Sequence, residues 1–251
     1  MPISSASVGR KVGILMNDID AGAEFERTTV NEIARFINEG CLKIVRMKPT
    51  ELSARVSMKL LPGSTRQGLV GAEFLNLAGD ELENFTPLQL LSVARNMGDD
   101  GITPGRACVT IDQKNLDVML PDWHTRDSEG FIRWVMFDPN DPLSFQVCYR
   151  APDDDDLFVE VLCSRAPVNT LLDTAVALGD NDIDAGLAGY LEEALVEWVA
   201  HRALTKDGTS PVNDARAAGR LQAFGQVLGI EIANDRTYHP RTRRPREASE
   251  G

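Results

Sequence analysis

The side chains with chemistry to offer are few and scattered. Of three histidines, His239 lies in a basic terminal stretch and His201 sits beside Arg202 in a helical pattern. His124, next to Asp122 in Pro121–Thr125, is therefore the one candidate general base. An acyl-transfer triad would also need an activated nucleophile, and no Gly-x-Ser-x-Gly turn occurs. A loop histidine in structural hydrogen bonds is the expected role. Cys41, Cys108, Cys148 and Cys163 are isolated, without the close pairing that structural zinc requires. Cys41, Cys148 and Cys163 fall in apolar stretches, where free cysteine packs as a small hydrophobe, so a reducing compartment is expected. Asp180, Asp182 and Asp184 open like a calcium loop. Ala185 then stands where the sharp-turn glycine belongs, and Leu191 where the bidentate glutamate belongs. These acids are read as a solvated loop before a helix N-terminus, and Asp153–Asp156 as a wet turn. Gly98–Gly105 has neither the lysine nor the following helix of a phosphate loop, and is read as an exposed hairpin or connection. No catalytic residue, metal site or cofactor is assigned.

The remaining feature is electrostatic. Residues Arg236–Gly251 carry five arginines against two acids, a local +3 on a chain of net −12, which leaves −15 for everything before them. With Pro240 and Pro245 and no apolar periodicity, this stretch cannot bury enough surface to fold by itself. Ordering it would cost roughly 1–2 kcal/mol per residue in backbone entropy. It reads as an extended basic arm that docks onto a partner, the blander reading being a terminus without a role. The acidic remainder, with a pI near 4.7, argues against a body that grips nucleic acid through phosphates. No apolar run reaches the ~18 residues of a membrane span. The start, Met1-Pro2-Ile3-Ser4, lacks a signal peptide's apolar core, so synthesis in the cytoplasm is expected.

The elements that must present these residues change period twice. Val8, Val12, Leu15 and Ile19 fall on one helical face, closed near Gly22. Thr29 and Glu32 form a capping box before the stripe Ile33, Phe36, Ile37, Cys41, Ile44 and Val45, which Pro49 ends. A period of two follows, with Val56, Met58 and Leu60 alternating against Arg55, Ser57 and Lys59. Phe131–Phe137, Leu143–Tyr149 and Leu157–Cys163 read as three strands of an antiparallel meander. Leu88–Arg95 and Arg106–Ile111 are further strands, and Asn115–Leu120 a short helical turn. Helical period returns after Pro167. Leu187, Leu191, Leu195 and Trp198 form one stripe, closed by Lys206-Asp207-Gly208. Ser210 and Pro211 open a last helix with Ala217, Leu221, Phe224 and Leu228, ending at Gly229. The expected fold is α+β. A helical hairpin (1–50) and C-terminal helices (167–230) make one bundle, an antiparallel β insertion (51–166) projects from it, and the arm (231–251) follows.

Several stretches resemble one family. Leu90–Gly98 (Leu-Leu-Ser-Val-Ala-Arg-Asn-Met-Gly), Gly101–Ala107 and Pro121–Thr125 are similar to the adaptor proteins of tailed bacteriophages, the head-to-tail connectors of mainly short-tailed phages. Phe36–Gly40, Ala194–Val199, Arg202–Asp207 and Ala215–Ala218 agree in the same order. The resemblance runs from about Val8 to Gly229. It departs at Thr28, where an aromatic is usual, and over Gly68–Pro87, which looks like an insertion. It implies a structural, non-enzymatic virion protein at the capsid–tail junction. Such a protein forms a ring, usually of twelve copies, under the portal, extends the DNA channel without binding DNA specifically, and offers a platform to a tail nozzle, tube or fibre. On that reading the arm finds its socket on the portal through Arg236, Tyr238, Arg241, Arg243, Arg244 and Arg246. The alternatives weighed are a virion-associated cell-wall hydrolase and a carbohydrate-binding module using Trp123 and Trp134.

Overall fold

A computed structural model describes residues 3–17, 27–128, 130–152, 156–168, 182–183, 186–206 and 211–236. The chain divides into two compact units, one of Met1–Leu52 with Pro167–Asp235, the other containing Ser53–Ala166. Ile19, Gly22, Asp207, Gly208 and Ser210, which the sequence reading uses as helix residues or boundaries, lie outside the described residues.

The first unit is helical. Strand β1 (Ile3–Ser4) leads into helix α1 (Ser5–Met16), with the Ser4 hydroxyl accepting from Ser7 N–H. Asn17 closes it in the left-handed conformation, its N–H reaching the carbonyls of Gly13 and Ile14, which satisfies acceptors that a helix end leaves open. Helix α2 (Val30–Met47) starts at the expected capping box, with Thr29 and Glu32 bonding each other's backbone N–H. It buries the whole predicted stripe from Ile33 to Val45. A 3-10 turn, Pro49–Leu52, follows.

The second unit holds strands β2 (Ser53–Lys59), β3 (Arg66–Gly68), β4 (Phe74–Leu75), β5 (Pro87–Met97), β6 (Pro104–Ala107), β7 (Val109–Thr110), β8 (Trp134–Phe137), β9 (Ser144–Val147) and β10 (Phe158–Arg165). Between β7 and β8 come helix α3 (Gln113–Met119), where the sequence predicts a short helical turn, and a 3-10 turn at Trp123–Thr125. One sheet runs β4-β2-β10-β5-β6 and the other β3-β9-β8-β7. All pairings are antiparallel except β7 with β8. The two sheets share a core: Val56, Met58, Val93, Val159 and Val161 from the first meet Val135, Phe137, Phe145 and Val147 from the second. On the outer side of the smaller sheet, Leu116 of α3 packs with Trp123, Met136 and Cys148.

The meander expected from Phe131 to Cys163 is not what forms. β8 and β9 pair, but β10 lies in the other sheet, between β2 and β5. Its first six residues are all buried except Leu162, because a central strand in a packed layer is covered on both faces. The one acid there, Glu160, accepts from Arg55 on β2 at 2.9 Å and Arg95 on β5 at 3.1 Å. The strict alternation expected of β2 also fails at Ser57, which is fully buried because β4 and β10 flank it. Tyr149, assigned to the β9 strand by pattern, instead has φ 68° and turns the chain out of the sheet.

Returning to the helical unit, strand β11 (Asp182–Ile183) pairs with β1. Asp182 is thus a strand residue rather than part of a pre-helix loop; Asp180 and Asp184 are not among the described residues. A 3-10 turn, Gly189–Leu191, enters helix α4 (Glu192–Lys206). At Gly40 of α2 an added Cβ would come within 2.6 Å of Leu195 and 2.7 Å of Trp198, so only glycine lets α2 and α4 approach this closely. Helix α5 spans Pro211–Arg236, nearly two turns beyond the expected stop. Gly229 is not in the left-handed conformation that terminates helices, and an interior glycine costs a helix only about 1 kcal/mol.

Besides this shared core, one buried side chain ties the larger sheet to the segment entering β8. Asn96 on β5 accepts from Ile132 N–H at 2.6 Å, and donates to the Ile132 carbonyl at 2.7 Å and the Arg106 carbonyl at 3.0 Å. Asn96→Ala leaves the buried Ile132 N–H unpaired and removes two further bonds, and is expected to destabilise the β unit by about 2–3 kcal/mol. A lowered urea midpoint in Trp123 and Trp134 fluorescence checks this.

Candidate functional site

Of the predicted portal-binding residues, Arg236 is the last residue of α5. Tyr238, Arg241, Arg243, Arg244 and Arg246 lie outside the described residues. His124 is exposed, its ring set edge-on to Trp123. Trp123 is buried and its indole N–H donates to Asp117 at 2.8 Å. His201 Nδ1 lies 2.9 Å from the Ala217 carbonyl, fastening α4 to α5. Burial pushes the Cys108 and Cys163 thiols up to about 12 and Cys148 to about 11, which disfavours the nucleophilic thiolate. Among the described residues no group of three or more His, Cys, Asp or Glu side chains could hold a metal ion.

What the helical unit does bring together is a set of ion pairs between elements. Glu192 at the start of α4 takes Lys11 at 2.8 Å and the Ser7 hydroxyl at 2.6 Å, both from α1. Glu32 of the capping box takes Lys206, at the far end of α4, at 2.7 Å. Glu39 takes Arg202 at 3.0 Å, and the Arg202 guanidinium also lies 5.4 Å from the centre of the Phe36 ring. Glu197 receives two bonds from Arg220 of α5. At the end of α2, the buried Lys48 ammonium sits 3.2 Å from Glu51 and 5.0 Å over the ring of Tyr190. The Tyr190 hydroxyl donates to Glu51. Each of these carboxylates spans two elements. Sequence spacing could not show them, since every partner but Glu51 is distant in the chain.

The described residues of the β unit line several open clefts. A groove of about 670 Å³ is lined by Met97, Gly98, Asp99, Gly130, Pro152, Asp156 and Leu157. Clefts of about 270 and 290 Å³ flank the turn at Asp138–Asp141. The Gly98–Gly105 segment forms the expected exposed hairpin between β5 and β6, with the Asp100 carboxylate accepting from Ile102 and Thr103. Large apolar side chains stand exposed at Val109, Val118 and Met119 in this unit, and at Ile14, Val212 and Leu221 in the other. Asp153, Asp154 and Asp155 lie outside the described residues; Asp156 pairs with Lys59 at 2.8 Å.

Residues 6–246 match the family model described as SU10 adaptor protein. The chain belongs to that family of phage adaptor proteins. The match continues past Gly229, where the motif resemblance stops, and through Arg246. No curated protein matches the chain. No described helix is long and apolar enough to cross a membrane.

Two of the carboxylates give the helical unit an acid limit. The Lys206 ammonium and the Thr29 N–H hold Glu32 below the usual carboxylate range. Burial alone would raise Glu192, but Lys11 and Ser7 outweigh it and hold it low as well. A carboxyl lowered in the folded state contributes stability above its unfolded value near 4.3, lost as pH falls through the folded value. Glu192→Gln is expected to cost about 1 kcal/mol at neutral pH. That difference should vanish towards about pH 3, read as convergence of thermal melts followed by circular dichroism at several pH values.

Proposed function

We propose that this protein forms a ring, of twelve copies as the adaptor resemblance implies, beneath the portal of a tailed-phage capsid. There it extends the channel for the genome and offers the surface on which a tail nozzle, tube or fibre is mounted. The observation that carries this reading is the family match, which runs through both units and into the basic arm. A ring contact is heterologous, one flank of each copy meeting the opposite flank of the next. Exposed apolar residues on α1 and α5 (Ile14, Val212 and Leu221) are of the kind such flanks use. Net charge −12 suits a channel past which phosphates slide rather than stick.

In this reading the arm leaves α5 at Arg236 and orders on the portal. Arg241, Arg243, Arg244 and Arg246 pair with carboxylates or carbonyls, and Tyr238 anchors in a pocket. Ring symmetry turns many weak arms into strong avidity. Membership of an adaptor family favours this structural role over the hydrolase alternative. A sugar platform at Trp123 is disfavoured because that ring is buried against Asp117.

The test is association with purified portal rings by native mass spectrometry. The full chain should assemble in a fixed stoichiometry on the portal. A chain ending at Asp235 should bind about a hundredfold more weakly or worse, as expected when avidity is lost. Unchanged assembly of the shortened chain would sink the arm proposal, and failure of the full chain to associate at all would sink the ring.

A further inference from the structure

The β unit is strongly acidic, with 18 acidic and 10 basic residues over Ser53–Ala166. Most of its cations are already spoken for. Arg55, Lys59, Arg66, Arg95, Arg126 and Arg150 each pair with a carboxylate at 2.7–3.8 Å. Among the described residues Arg106, Arg133 and Lys114 have no carboxylate partner, and all three are exposed.

These three lie on adjoining segments. The side-chain amide of Asn96 reaches the carbonyls of both Arg106 and Ile132, which sets the β6 backbone beside the residue preceding Arg133. Val109 N–H donates to the Arg133 carbonyl at 2.8 Å. Lys114 stands in the first turn of α3, shortly after β7, and α3 packs through Leu116 against the cluster that includes Trp134. The two guanidiniums are stacked rather than loose: Arg106 lies 4.5 Å from the centre of the Phe131 ring, and Arg133 4.5 Å from that of Trp134. Val109, opposite Trp134 in the β7–β8 register, is exposed.

An arginine stacked on an aromatic has lost part of its rotamer freedom while its fork of N–H donors still points outward. Such a group recognises carboxylates at a lower ordering cost than a free side chain, and arginine and aromatic residues are those that dominate protein interfaces. We propose that Arg106, Arg133 and Lys114, with Phe131, Trp134 and Val109, form a docking site for an acidic segment of a different virion protein. That segment presents two or more carboxylates around an apolar side chain that covers Val109. A continuous polyanion such as nucleic acid fits less well, because a peptide can set a few carboxylates on the stacked guanidiniums and an apolar side chain on exposed Val109, whereas nucleic acid brings a phosphate at every unit to a strongly acidic surface. A second copy is disfavoured by the mutual repulsion of two chains of net −12. The source of the partner rests on the adaptor reading; the chemistry of the site does not.

Arrays of short overlapping peptides covering the other structural proteins of the virion, probed with the full-length chain, test this. The peptides retained should be acidic. Their affinity, titrated by fluorescence anisotropy, should fall about tenfold or more in the Arg106→Ala/Arg133→Ala double variant. Arg106→Lys/Arg133→Lys should recover only part of it, since lysine keeps the charge but not the planar fork. Arg35→Ala in the helical unit should bind the same peptides as the unaltered chain. Thermal melts establish that the variants fold; if the alanine pair does not, the lysine pair carries the comparison. Retained peptides that are not acidic, or equal affinity in the folded variants, overturn the proposal. So does tighter binding of a single-stranded oligonucleotide than of any peptide, or a change confined to self-association. Assembly on portal rings is measured alongside and should be unaffected by these variants, so a failure here is distinct from failure of the ring.

Discussion

The pairing of β2 with β10 is the constraint on which the rest of the structure depends. The chain leaves the helical unit at Leu52, enters β2 at once, and ends its β excursion on β10, with Ser53 opposite Ser164 and Lys59 opposite Phe158. Antiparallel neighbours lie about 4.8 Å apart, so the two ends of the insertion are held side by side. That closure lets α1 and α2, from one end of the chain, pack with α4, from the other, as though the sequence between them were absent. Because β10 is also bonded to β5, the same strand that closes the insertion forms the middle of its larger sheet. Glu160 sits at this junction, drawing an arginine from each neighbouring strand.

Local signals were legible in the sequence where they dominate locally. The capping box at Thr29, the stripe of α2, α3 and the glycine-rich hairpin after β5 follow from side chains within a few residues of one another. Partners distant in sequence were not legible. The short turn before Leu157 suggested that β10 would pair with β9, and chain proximity favours that guess. A better signal was present in Phe158–Cys163, where apolar residues run almost without alternation, as in a strand covered on both faces rather than one at the edge of a meander. The β1–β11 pair carries two residues a strand, too few for any periodicity to register. Gly229 looked like a stop, but nothing in the sequence says whether a glycine takes the left-handed conformation or the helical one.

The candidate residues divide in the same way. The basic arm was visible as a change of charge, because composition needs no fold to be read. The stacked arginines were not visible, since Arg106 and Phe131 are neighbours only after Asn96 ties the larger sheet to the segment entering β8. Trp123, a candidate sugar platform by composition, became a core residue once Asp117 accepted its N–H. Ion pairs such as Glu192 with Lys11 and Glu32 with Lys206 read in sequence as ordinary surface charges, yet they join α1 and α2 to α4. A protein whose work is assembly would need its helices held in register in this way, while its exposed apolar and charged groups remain available to neighbours.

The central claim is that this chain is a ring subunit joined to the portal by its C-terminal arm. An electron cryomicroscopy map of the chain bound to portal rings tests it most directly. The account predicts a closed ring of subunits, each with an ordered extension beyond Arg236 lying against the portal and the Arg241–Arg246 side chains facing portal carboxylates or carbonyls. A ring whose arms turn away from the portal, or single copies bound without contact to one another, would contradict it.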